Sequence, residues 1–331
     1  MKWRKLLMSG GAAVGAAAAY NHVAQRDVGP LRNLLGGKEG TFRWRGNDVA
    51  YTVRGAGAPV LLVHSIHAAA WSYEWRSNVD ALARTHTVYT IDLLGFGLSD
   101  RPAIKYSSGL YLALLSDFAR QVVRAPCALV ASSLSAAYAI VLAARDAARF
   151  PAVVLVEPVG IARLSSDPTA VRDFARIAVD TPVLGTAVFN GLVSRRSIRA
   201  YLEQAYFDDR RVDEATLAVY YAAAHQPGAK HAPAAFVAGQ LNVDVRDALR
   251  RLVQPAMLVW GEQARAAPVE EMRSFLALKS DFEPAIFSPC GDLPHDERPD
   301  EFNEAVTAFL ARTSAAAAAA AAPERTHPAR R

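Results

Sequence analysis

Residues 127–136, Cys127-Ala128-Leu129-Val130-Ala131-Ser132-Ser133-Leu134-Ser135-Ala136, decide how this chain is read. Positions 127–132 are apolar or small and do not alternate with polar residues, as in a parallel strand buried on both faces. Positions 135–148 are alanine-rich and read as a helix. Only Ser133 and Leu134 separate the two, so the strand must turn into the helix at once. A turn that tight needs small residues on either side, and Ala131 and Ser135 supply them. Taken alone, Ser133 is a helix N-cap. With a proton acceptor in reach it is instead a nucleophile at the positive end of a helix dipole.

Outward from this junction the same order repeats. TFRWRGNDVAYTVRG (41–55) reads as two strands joined at Gly46-Asn47-Asp48. APVLLVHS (58–65), HTVYTID (86–92), AVVLVEP (152–158) and PAMLVW (255–260) read as further strands, with another from Phe282 to Phe287. Helices are predicted over 71–84 (Trp71, Trp75, Val79 and Leu82 at spacings of three and four), around Leu110 to Val123, from Pro268, and over Pro299 to Leu310. Strands alternating with helices imply an α/β fold with a mostly parallel central sheet flanked by helices. Residues 160–250 break the alternation. They read as several helices carrying Phe174, Phe189, Tyr201, Tyr206, Phe207, Tyr220 and Tyr221, an inserted helical cap over the sheet edge where open α/β folds bind ligands. The expected division is 1–39 segment and linker, 40–159 with 251–311 core, 160–250 cap, and 312–331 low-complexity tail.

Of 331 residues, 52% are hydrophobic and 21% charged, which excludes intrinsic disorder. The two cysteines exclude a disulfide-built scaffold and a cysteine-rich zinc module. The net charge of +5 belongs to the ends. Residues 1–50 hold eight basic against three acidic side chains and residues 312–331 hold four against one, leaving 25 against 28 between. Nucleic acid is therefore not an expected partner of the body. At the N-terminus, MKWRK precedes LLMSGGAAVGAAAAY. Three readings stand: an export signal with an Ala-x-Ala-like site near Ala17 to Ala19, a short membrane anchor with Lys2, Arg4 and Lys5 on the cytoplasmic side, or an alanine-rich helix on the protein surface. The first two make the protein exported or membrane-associated through this segment; the third leaves it cytoplasmic.

Ser133 between Ala131 and Ser135 resembles the nucleophile elbow of the α/β-hydrolases, where glycines are usual at the flanks. His64-Ser65-Ile66-His67 stands where that superfamily has His-Gly and its oxyanion loop. The loop Asp92-Leu-Leu-Gly95-Phe-Gly97-Leu-Ser99-Asp100-Arg-Pro102 and the stretch from LVWGEQ through CGDLPHDERPDEFNEAVTAFL are also similar to its members, over about 40–311. The resemblance implies an α/β-hydrolase fold with a helical cap and no cofactor. It implies Ser133 as nucleophile and the backbone N–H groups of Ile66 and Leu134 as oxyanion donors. It also implies a pocket for a small apolar or ester-like ligand, to which Ser65, His67 and Tyr138 are assigned.

The catalytic pattern is broken in two places. In Gly291-Asp292-Leu293-Pro294-His295, Asp292 occupies the position of the usual base, and an exposed carboxylate is a poor acceptor for a serine proton. Ala264 stands at the usual acid position, while Glu157, at the end of the sixth strand, is an alternative acid that some relatives use. His295 reads as a structural residue. His64, His67, His225 and His231 are the candidates for a replacement base, each requiring hydrogen-bond reach of Ser133. No histidine pair has metal-ligand spacing and no phosphate loop is present, so no metal site is expected. Three readings remain open: a degenerate-triad protein that binds its ligand with weak or no hydrolysis, a serine ester or lipid hydrolase with a displaced histidine, and a membrane-surface scaffold.

Overall fold

The computed structural model describes residues 2–26, 28–166 and 177–321. Phe174, His327 and the rest of the tail beyond 321 lie outside the described residues. Eight strands form one sheet in the order β1-β2-β4-β3-β5-β6-β7-β8. They are β1 (Lys38–Trp44), β2 (Asn47–Arg54), β3 (Ala58–Val63), β4 (His86–Ile91), β5 (Ala128–Ser132), β6 (Val153–Val156), β7 (Ala256–Gly261) and β8 (Glu283–Phe287). Only β2 runs antiparallel to its neighbours; from β4 to β8 every pairing is parallel. The continuous apolar runs are explained by cover on both faces. One buried cluster contains Leu61, Leu129 and Leu155 with Tyr111 and Ile140. The other contains Val60, Val130 and Val154 with Leu82 and Phe302. Each buried Leu or Phe contributes about 1.5–3 kcal/mol.

The helices are α1 (Lys2–Arg26), α2 (Val79–Leu82), α3 (Ser108–Phe118), α4 (Ser133–Arg145), α5 (Leu184–Leu192), α6 (Arg195–Ala205), α7 (Glu214–Ala224), α8 (His231–Val237), α9 (Arg246–Arg251), α10 (Met272–Leu278), α11 (Pro294–Glu297) and α12 (Pro299–Ala321). The helix predicted over 71–84 is shorter and broken: a 3₁₀ turn, Ser72–Trp75, precedes α2. Asp92 accepts from the Ser72 N–H at the start of this turn and from the Leu98 N–H, each at 2.7 Å. The same carboxylate explains Gly97, whose φ is +50° and where a Cβ would lie 2.3 Å from Asp92 Cγ. α3 starts where Ser107 caps the Leu110 N–H at 3.2 Å. Alanines beyond Leu310 carry α12 on to Ala321, past the predicted end, because alanine has the best helix propensity.

The N-terminal segment is helical and its last turns rest on the helices between β6 and β7. The Asn21 side chain donates to Val183 O at 2.9 Å and accepts from Asn190 at 3.0 Å, and Tyr221 Oη donates to Ala24 O at 3.0 Å. No helix among the described residues is long and apolar enough to cross a membrane.

Candidate active site

Register places the site. Ser132 pairs with Val156 and Val156 with Val259, so β5, β6 and β7 end side by side. The residues that follow, Ser133 and Glu157, are therefore neighbours at the sheet's C-terminal edge. Both have left-handed backbone, φ +54° and +45°, in a region that L-residues other than glycine rarely adopt. Strain of this kind costs about 1–3 kcal/mol and persists where surrounding structure enforces it. At Ser133 the enforcement is visible. Ser132 is still extended, φ −113°, and α4 begins with the next residue. The N–H of Leu134, in the first turn of α4, has no partner within the helix. Ser135 explains the departure from glycine: its buried hydroxyl donates to His64 O at 2.6 Å, tying α4 to the loop after β3.

That loop is held by a residue the sequence reading passed over. Glu74 Oε2 accepts from both the N–H (2.9 Å) and the hydroxyl of Ser65, next to Ile66. Its other oxygen lies 3.4 Å from the Nε2 of the buried His295. Burial pushes the Glu74 carboxyl up, but the hydrogen bond and charge of His295 and the Ser65 hydroxyl outweigh it and hold it at about 2. The signal was a carboxylate three residues after Trp71 on an otherwise aromatic face. His295, fully buried against Trp75 and Phe302, is thereby committed to Glu74.

Ser133 opens into a cavity of about 320 Å³. Ser65, Ile66, His67, Glu157 and Asp292 share it, with Arg163, Tyr201 and Phe236 contributed from between β6 and β7. Asp292 reaches it on a loop that Glu297 clamps, accepting from Gly291 N–H at 2.7 Å and Phe207 N–H at 2.8 Å. The expectation of an exposed carboxylate with an ordinary pKa is corrected. Asp292 is half-buried, and desolvation raises its pKa while the N–H groups of Ala266, Ala267 and Arg265 partly offset this. The Ala266 bond is 2.7 Å. Glu157, 5% exposed, lies well above the ordinary carboxylate range because of burial and then the charge of Asp292, against the single N–H of Gly261 at 3.1 Å.

The other imidazoles are accounted for in turn. His64 is bonded through both ring nitrogens, Nδ1 with Ser65 O at 2.6 Å and Nε2 with Leu93 N–H at 3.0 Å. His225 stacks on Tyr221, and His231 pairs with Asp180 at 2.9 Å. His67 alone lines the Ser133 cavity among the described residues. Its Nδ1 accepts from Ala69 N–H at 3.3 Å, so the ring proton sits on Nε2. Burial lowers its pKa to about 4, keeping it neutral at physiological pH. Tyr138 is corrected: it does not reach the cavity, and its fully buried hydroxyl donates to Leu241 O at 2.6 Å. Ala264 is buried in the core and does not line the cavity, which Ala266 and Ala267 do.

Residues 60–305 match the alpha/beta hydrolase family, and the chain belongs to it. It is 27% identical over 287 residues, covering 83% of this chain and 92% of the relative, to the 2-hydroxy-6-oxo-6-(2'-aminophenyl)hexa-2,4-dienoic acid hydrolase of Metapseudomonas resinovorans. A pimeloyl-[acyl-carrier protein] methyl ester esterase of Nitrosospira multiformis is 26% identical over 77% of this chain and 95% of its own length. Among solved structures, a serine hydrolase involved in carbazole degradation superposes with a TM-score of 0.70 at 24% identity, over 83% of this chain and 99% of that one. A membrane phospholipase A superposes with a TM-score of 0.69 at 21% identity, over 95% and 99%.

Proposed function

We propose that the Ser133 cavity binds a small apolar or ester-like ligand and hydrolyses it weakly or not at all, the triad being degenerate. In this reading Ser133 is the nucleophile position, and the N–H groups of Ile66 and Leu134 receive the carbonyl oxygen. Residues 160–250 act as a cap on the core of 40–159 and 251–311. The observation that carries the proposal is Asp292 beside Ser133 where a base belongs, its charge already committed to the Ala266 N–H. A carboxylate so held is a weak acceptor for a serine proton, and loss of a positioned base typically removes 10²–10⁴-fold of rate, roughly. His67 favours a second reading as a displaced base, since it lines the same cavity. Its Nε2 proton makes it a donor to a ligand oxygen instead, which is the role assigned to it here. The relatives' names, a dienoic acid hydrolase and a methyl ester esterase, support an ester-like ligand. Attachment to a membrane surface through Lys2–Arg26 belongs to the same proposal, supported by the basic residues at its start.

The test is labelling with a fluorophosphonate probe together with turnover of p-nitrophenyl acetate, each compared with Ser133→Ala. Slow labelling at Ser133 and marginal turnover are expected. Rapid, Ser133-dependent turnover by the unmodified protein would overturn the degenerate triad.

A further inference from the structure

α5 buries Gly185, Phe189 and Asn190 against the rest of the protein. Its other side carries Leu184, Val188 and Leu192, spaced four residues apart and all exposed, Val188 by 56% and Leu192 by 65%. A surface helix ordinarily turns polar side chains to water, so this row is fitted to something less polar. It continues onto α1. Tyr20 lies over Gly191, its hydroxyl 3.9 Å from where a Cβ there would stand. From Ala12 to Tyr20 every residue except Ala17 is exposed, and none is charged. At 1.5 Å per residue this bare apolar stretch reaches about 13 Å beyond the Asn21 anchor.

The charges beside these two faces have one sign. Lys2–Arg26 and residues 181–198 contain Lys2, Arg4, Lys5, Arg26, Arg195 and Arg196 and no Asp or Glu, although residues 51–311 carry 25 basic against 28 acidic side chains. Arg195 and Arg196 are exposed immediately beyond Leu192. A second copy of the chain on this surface would bring like charges together. An anionic lipid leaflet meets both requirements, an apolar interior for the row and negative headgroups for the arginines.

We propose that α5 is a second membrane contact: Leu184, Val188 and Leu192 rest in the same anionic phospholipid leaflet as the apolar stretch of α1, with Arg195 and Arg196 at the headgroups. The proposal rests on the reading of Lys2–Arg26 as a membrane attachment and adds the segment between β6 and β7 to it. A short apolar anchor holds a bilayer reversibly, and a second apolar patch with basic neighbours makes the attachment stable. It also fixes orientation, because two contacts on different elements leave the protein one way to sit on the surface.

The experiment measures partitioning of the full chain onto phosphatidylcholine vesicles with and without phosphatidylglycerol. Binding is expected to be tighter with phosphatidylglycerol and to weaken with added salt. Val188→Asp and Leu192→Asp, at exposed positions that do not threaten folding, are each expected to lower the partition coefficient about tenfold. Val253→Asp, equally exposed but before β7 at the opposite end of the sheet, is expected to leave it unchanged. Both native cysteines are buried, so Val188→Cys can be labelled alone with a polarity-sensitive bimane, whose emission should shift to the blue on vesicles. Binding that survives both aspartates, or unshifted emission from bound protein, overturns the α5 contact and leaves attachment through α1 standing. A dimer in solution that either aspartate dissociates overturns it in favour of a second copy. Absence of binding to either vesicle overturns the membrane attachment itself.

Discussion

Replacing Asp292 by histidine tests the site's logic most directly. The structure contains most of what an imidazole at this position would need. The loop backbone is fixed, with the Asp292 N–H donating to Ala205 O at 2.7 Å and Gly291 held by Glu297. An acid is also present, because Glu157 follows β6 in the same cavity, its pKa raised by burial and then by the charge of Asp292. Removing that carboxylate and introducing a ring that becomes imidazolium during catalysis reverses the local sign, so Glu157 can ionise and orient the ring. The cost is the lost acceptor for the Ala266 N–H, about 1 kcal/mol at an exposed backbone position that water can reach. The gain is a positioned base, about 10²–10⁴-fold, or about 3–5 kcal/mol of barrier. Ester turnover by Asp292→His should therefore rise by that factor, with a pH profile climbing near the ordinary histidine value of about 6.5. Adding Glu157→Gln should cancel most of the gain by leaving the tautomer unset. A folded Asp292→His protein that is labelled and turned over no faster than its parent would refute the reasoning.

Two further predictions concern the supports of the site. Glu74 carries a folded-state pKa of about 2 against an ordinary 4.5, so its stabilisation is complete above about pH 4.5 and is lost as pH falls toward 2. Glu74→Gln should cost about 1.5–3 kcal/mol at neutral pH by removing the charged acceptor of the Ser65 N–H and hydroxyl, and should flatten this acid limb in urea titrations; an unchanged acid limb would rule Glu74 out as its source. Ser133→Gly should raise stability by about 1 kcal/mol by relieving the positive φ, while Ser133→Ala should not; equal midpoints for the two variants would show that the elbow stores no strain.

The strand and helix order and the abrupt strand-to-helix turn at Ser133 were legible in the sequence. Buried strands, tight turns and amphipathic helices are local patterns, and a motif of fixed spacing survives translation into structure. Element boundaries were less legible. The helix predicted over 71–84 is interrupted between Trp75 and Val79, where the Arg76 and Asn78 N–H groups bond only three residues back, to Tyr73 O and Trp75 O.

The sequence by itself determined the fold class, because the order of strands and helices follows the order of residues along the chain, and it put Asp292 and Ala264 where the proposed reading looks for a base and an acid. Only the tertiary structure decided what those positions do. It buried Glu157 in the cavity it shares with Asp292, so that desolvation raises the pKa of both carboxyls, set Glu74 against His295 across the core, and withdrew Tyr138 from the cavity toward Leu241. Burial and the proximity of distant residues set a side chain's charge and its partners, and neither is a property of sequence spacing.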